Sequence, residues 1–216
     1  MVKNILIRSK KYRIMILSGA NMVYTFNELK IKYKEYSNIK TKVSRLVAKG
    51  DLISLKNGLY TDENKNPLVF AEKIYGPSYI SFETALSIYN LIPERVYKIT
   101  SATFNKRKSK QYVNKCGTYI YKDVPKSVFH LDIVTMGSGE EAFLIASKEK
   151  ALLDMLYSLP PIHSKKNLIV TLFNDLRIDV DEFKKLDFKK MRALCALYCT
   201  SIHKQMYGFL GGLIGD

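Results

Sequence analysis

The chain is short of cysteine: Cys116, Cys195 and Cys199 are an odd number with no CxxC pair among them, which argues against both a secreted disulfide framework and a zinc knuckle. Long hydrophobic runs are missing as well. A membrane-spanning helix needs about 18–20 apolar residues, and the most apolar tail segment, residues 208–215, is far shorter. A signal-peptide core is not present either, because the apolar pieces 5–7 and 14–17 are split by the basic run Arg8 to Arg13. A cytoplasmic protein without a membrane partner is expected. Acidic residues are the scarcest charged class, 20 Asp and Glu against 35 Lys and Arg, a net charge of +15. Such a surplus attracts polyanions through its long-range field and through counterion release, so nucleic acid becomes the expected partner.

What is present is enough to fold. With 47% hydrophobic and 25% charged residues the chain is neither low-complexity nor disordered, and 216 residues allow one large domain or two small ones. Charge is concentrated at the amino end, where residues 1–62 hold 13 basic and 4 acidic side chains. The polar, turn-forming run TDENKNP, residues 61–67, then interrupts the apolar pattern. Two domains follow, 1–66 and 67–216, and the fold class is α+β.

The first domain reads as a winged helix-turn-helix. Residues 10–17 suit a short helix. Thr25 and Glu28 have the spacing of a capping box and start a second helix running to about Tyr33. Ser37 is placed to cap a third, with Ile39, Val43, Leu46 and Val47 on one face and Gly50 as its left-handed stop. Strands at 51–55 and 59–61 flank Asn57-Gly58, a hairpin signal. The outward face of the third helix carries Asn38, Lys40, Thr41, Lys42, Ser44, Arg45 and Lys49 and no acid. In helix-turn-helix proteins such a helix enters the major groove. Asn38 and Thr41 suit base edges, Arg45 suits guanine or phosphate, and Lys40, Lys42 and Lys49 suit phosphate. Lys56 and Asn57 at the wing tip can reach the DNA backbone or minor groove. The plainer reading is a solvated lysine-rich face.

From residue 79 strands and helices alternate, giving a mixed α+β domain with a helical carboxy end. Ser81 is placed to cap a helix holding Ala85, Leu86 and Tyr89, with Asn90 as its left-handed terminator. Strands are expected at 96–103, 118–124, 129–136 and 143–146, and helices at 147–159, 164–176, 181–186 and from 187 into the glycine-rich tail.

Three segments, SYISFETALSIYNLIPE (78–94), ITSATFNKRKSKQY (99–112) and IASKEKALLDMLY (145–157), lie behind this module and resemble the AbiEi antitoxins. The resemblance covers most of the chain, the last forty or so residues being its least distinctive part. The family usually has Gly where Asn90 stands and Pro where Lys148 stands. The resemblance implies a non-enzymatic bacterial type IV antitoxin, linked to phage abortive infection, that counteracts a nucleotidyltransferase toxin without a stable complex. It also implies an autorepressor that binds inverted repeats in promoter DNA, with two copies on DNA and a possible monomer when free. Two alternatives stand beside it, a winged-helix regulator of another operon with a sensing or dimerisation domain, and a metal-dependent nuclease.

Other motifs are weighed on their chemistry. Lys106, Arg107, Lys108 and Lys110 either hold a second stretch of phosphate or form a solvated loop. Residues 148–154 read as a core-packing helix whose Lys148, Glu149, Lys150 and Asp154 cap and solubilise it. The glycines of residues 137–142 match a dinucleotide pattern, but Glu140 and Glu141 would repel a pyrophosphate, so a hairpin turn is expected. Cys195, Cys199 and His203 fall at i, i+4, i+8 on the expected tail helix, too extended a row for one zinc, so a buried face is expected there and neither metal nor cofactor. Glu182 and Asp187, each two residues before a lysine, mimic a nuclease element that needs a strand where the pattern here is helical.

Overall fold

The computed structural model describes residues 23–62 and 66–215; the expected helix at 10–17 lies outside them. A short strand β1 (Tyr24–Thr25) leads into helix α1 (Phe26–Lys32), whose capping box is formed as expected: Glu28 N donates to the Thr25 hydroxyl, and Thr25 N donates to the Glu28 carboxylate at 2.7 Å. Helix α2 (Ile39–Lys49) is capped by Asn38 and not by Ser37, because the Asn38 carbonyl oxygen accepts from Thr41 N at 3.0 Å. Gly50 closes it in the left-handed conformation, φ +84°. The amides of Asp51 and Leu52 both return to the Leu46 carbonyl. This terminal turn delays strand β2 to Ile53–Lys56, before β3 (Leu59–Thr61). The three strands form one antiparallel sheet, order β1-β3-β2. Leu29, Val43 and Leu52 make a small core beneath α1 and α2.

The remainder surrounds a six-stranded mixed sheet. Residues Pro67–Phe70 make a 3-10 turn into α3 (Ala71–Ile74), followed by β4 (Tyr79–Ile80), α4 (Phe82–Ile88), β5 (Lys98–Thr103), β6 (Lys110–Asn114) and β7 (Gly117–Asp123). Then come α5 (Lys126–Phe129), β8 (Ile133–Met136), β9 (Phe143–Ala146), α6 (Lys148–Tyr157), α7 (Lys165–Val170), α8 (Val180–Lys184), α9 (Phe188–Cys195) and α10 (Ser201–Ile214). The strand order is β6-β7-β5-β4-β9-β8, with β5 parallel to β7 and β4 parallel to β9. One large core, including Phe70, Phe82, Tyr119, Tyr121, Leu152 and Met206, fills the space between sheet and helices.

Several expectations change here. The strand expected at 129–136 forms only over its second half: α5 runs to Phe129, residues 130–132 turn, and Asp132, at φ +54°, redirects the chain into β8. Strand β6 had no clear alternating pattern and was not expected; it is an edge strand paired only with β7. The helix at 164–176 loosens after Val170 into a π-helical turn, Thr171–Asp175. The tail helix is interrupted after Cys195, where Cys199 is left-handed at φ +54° and Thr200 caps a new helix. Cys195, Cys199 and His203 therefore do not share a helical face: Cys195 and His203 are buried while Cys199 is exposed. Residues 137–142 do form a tight connection between antiparallel β8 and β9. No described helix is long and apolar enough to cross a membrane.

Candidate nucleic-acid interface

Helix α2 has two chemically distinct sides. Val43 is buried, and Ile39, Leu46 and Val47 pack beside it on the small core. Asn38, Lys40, Thr41, Ser44, Arg45 and Lys49 are exposed. No acid occupies the first turn, so nothing on the helix itself offsets the partial positive charge of its amino end. A groove of about 380 Å3 runs along one flank, lined by Tyr36, Thr41, Lys42, Arg45 and Lys49. A second, of about 450 Å3, separates α2 from the hairpin and is lined by Lys40, Ser44, Ser54, Asn57 and Tyr60. The helix thus stands between two troughs, the second of which is also lined by Phe26, Val43 and Val47.

The expected contact residues do not all sit alike. Lys42 is half-buried, its ammonium 4.4 Å from the centre of the Tyr36 ring and 5.5 Å from that of Tyr33, an aromatic support that fixes where the charge points. Asn38 spends its carbonyl oxygen on the cap, so it keeps a donor for a base edge and loses the paired donor–acceptor geometry that adenine selects. Lys56 turns inward, and its ammonium donates to the Ile74 carbonyl. It acts as a strut between hairpin and α3, which leaves Asn57 as the exposed residue at the tip. Of the second basic cluster, Lys106 is likewise an anchor, donating to the Gly76 carbonyl at 3.3 Å with its ammonium 4.9 Å from the Tyr75 ring centre. Arg107, Lys108 and Lys110 are exposed.

The charged helix α6 departs from expectation most. Its Glu149, Lys150 and Asp154 are buried, the latter two completely, so they do not solubilise a surface. The Lys150 ammonium donates to Asp154 at 2.5 Å, to the Tyr79 hydroxyl at 2.7 Å and to the Tyr198 hydroxyl at 2.9 Å. The Asp154 carboxylate accepts from Tyr79, Ser81 and Tyr198 at 3.0, 2.7 and 2.6 Å. Ser81 stands before α4 but its hydroxyl makes no helix cap, having turned to Asp154. Burial holds the Lys150 pKa below its usual value, with Asp154 opposing the shift, and raises Tyr79 and Tyr198.

His203 stacks on Tyr198 at 4.1 Å between ring centres. Burial takes its pKa down to about 4, so it is neutral at pH 7, with Nε2–H donating to the Leu153 carbonyl and Nδ1 accepting from Thr200. Nearer the surface, burial raises the Glu149 carboxyl but the Asp187 amide and Lys190 outweigh it, so its pKa lies below the ordinary value. Lys190 also pairs with Asp132 at 2.9 Å. Tyr79, Lys150, Asp154, Tyr198 and His203 are all buried, and this cluster reads as internal structure. Glu182 and Asp187 lie on helical elements, Glu182 paired with Lys185 and Asp187 capping α9, not on the strand that a nuclease metal site uses.

No protein-family model matches the chain, and no curated protein matches its sequence. Sequence reasoning missed Tyr36, Ser54 and Tyr60 in the grooves. Tyr36 had a detectable signal, an aromatic in the turn immediately before an acid-free helix; Ser54 and Tyr60 depend on the pleat of the hairpin, which periodicity over so few residues does not set.

Proposed function

We propose that the protein is a duplex-DNA-binding repressor whose amino-terminal unit is a winged helix-turn-helix, with α2 as the recognition helix and the β2–β3 hairpin as the wing. One observation carries this reading: the outward face of α2 is exposed, acid-free and flanked on both sides by grooves lined with donors. Lys40, Lys42 and Lys49 neutralise phosphate, while Thr41, Arg45 and the Asn38 amide nitrogen meet base edges. Two copies bind a two-fold promoter site, one per half-site. Fluorescence anisotropy on duplexes from the chain's own promoter and on random duplex tests this. Replacing Thr41 or Arg45 should change discrimination by about 1–3 kcal/mol per lost base contact, and equal loss on both duplexes would discard the assignment.

The same proposal extends to an antitoxin acting against a nucleotidyltransferase. It is supported by the three segments that resemble AbiEi antitoxins, two of which, 78–94 and 145–157, supply Tyr79, Ser81, Lys150 and Asp154 to a single buried network. Co-expression with a neighbouring nucleotidyltransferase gene is the test. Arg45→Ala with Lys49→Ala should abolish repression and leave neutralisation intact at equal expression; joint loss would show that the two roles share one surface.

A further inference from the structure

Between β5 and β6 the chain makes a loop that is held more firmly than a simple connection requires. The Asp123 carboxylate, at the end of β7, accepts from the backbone amides of Lys106 and Arg107 at 2.6 and 2.8 Å through one oxygen. Through the other it accepts from the Thr103 hydroxyl at 2.7 Å. Asn105 and Arg107 are both left-handed, at φ +55° and +63°. Side-chain-bearing residues rarely adopt that region, and it persists where surrounding contacts enforce it. With the carboxylate turned inward onto the backbone, the loop presents Arg107 and Lys108 to solvent.

The loop is also tied to the amino-terminal unit through residues 74–76. Lys106 holds the Gly76 carbonyl and Lys56 of the hairpin holds the Ile74 carbonyl. Those carbonyls belong to residues two apart, whose Cα atoms lie within about 7 Å of each other on any backbone. Beside them Asn114 of β6 donates to the Leu55 carbonyl of β2 at 2.9 Å. Hairpin and loop thus share one mount.

We propose that this loop is a second phosphate-binding element, shaped by Asp123 as a positioning residue, and that one duplex is held by α2 and by the loop together. The inference rests on the duplex-binding reading of α2. Each phosphate neutralised contributes about 0.9 to the slope of log affinity against log salt. Arg107 and Lys108 act as two such contacts, and Asp123 keeps both aimed.

The test uses the full chain and a duplex long enough to pass α2 and the loop, with affinity measured between about 50 and 200 mM salt. Arg107→Ala with Lys108→Ala should lower the slope by nearly two units, so that the affinity lost across that salt range shrinks about tenfold. Asp123→Ala should lower the slope in the same direction, and adding it to the double variant should change little further. Arg45→Ala should act independently of all three. If Asp123→Ala fails to fold, Asp123→Asn, which keeps one acceptor oxygen, takes its place. An unchanged slope in the double variant, with Arg45→Ala still weakening binding, overturns the loop and leaves the α2 reading standing. A lowered slope in the double variant but not in the Asp123 variant overturns the role of Asp123. Absence of wild-type binding overturns both readings.

Discussion

Lysine in α2 and lysine in α6 occupy opposite physical situations. Lys40 and Lys49 project from a surface that no described residue covers, whereas Lys150 is wholly buried among one carboxylate and two phenols. Exposed cations contribute little to folding and much to long-range attraction of a polyanion. A buried pair does the reverse: its worth lies in being complete, because desolvating either charge alone is expensive. The same residue type is therefore left free to meet a polyanion in one unit and held in a closed network in the other, and burial decides which.

The sharpest way to break this contrast is Asp154→Ala, which leaves the Lys150 ammonium buried with only hydroxyl partners. Unfolding by denaturant should show a loss of about 3–5 kcal/mol. Lys150→Met should cost less, since three hydroxyl donors still serve the Asp154 carboxylate; equal costs would mean the network is not asymmetric as described. Next in size is a pH effect. His203 has a folded pKa of about 4 against an ordinary 6.5, so below pH 6.5 the unfolded chain binds the proton more readily. Stability should be fully present above pH 6.5 and decline as pH falls toward 4, by up to about 3 kcal/mol from this group. His203→Gln should flatten melting curves over that window.

Gly76→Ala is expected to cost about 1–3 kcal/mol, because a Cβ there would lie 2.8 Å from the Glu72 carbonyl oxygen in the very turn that both anchoring lysines grip. Thermal melts with and without duplex separate the folding cost from any change in binding. Smallest in folding terms is Asn38→Asp, which keeps a cap acceptor and should shift stability by no more than about 0.5 kcal/mol. It should nonetheless weaken duplex binding clearly by placing a carboxylate on the acid-free face. A variant that binds like wild type would remove Asn38 from the interface.

Much of the amino-terminal unit is legible because local chemistry dictates it. Thr25 with Glu28, Gly50 and Asn57-Gly58 each act within four residues, and the helix α2 and its apolar face follow from spacing alone. The choice of Asn38 over Ser37 as cap is also local but near-degenerate, since either side chain can serve. The carboxy-terminal unit is read less well because long-range partners override local preference. Ser81 abandons a cap for a carboxylate 73 residues away; Lys150 and Asp154 look like surface charges until Tyr79 and Tyr198 arrive from distant segments, and Glu149 until the Asp187 amide and Lys190 do. Strand β6 exists because β7 pairs with it, and residues 195–203 break where the tail must fold back. Of the interface, the exposed face of α2 follows from sequence; the inward turn of Lys56 and Lys106 does not, because their acceptors are main-chain carbonyls without a sequence signature.

Leu55 lies in hairpin strand β2 yet is buried in the larger core, with Asn114 on its carbonyl. A fragment ending near residue 66 would carry that side chain bare into water along with an unanswered carbonyl, and the remaining piece would keep a matching hollow. Dissecting the protein at its most obvious seam is therefore expected to yield sticky halves, and point substitutions in the intact chain are the sounder route to assigning work to each end.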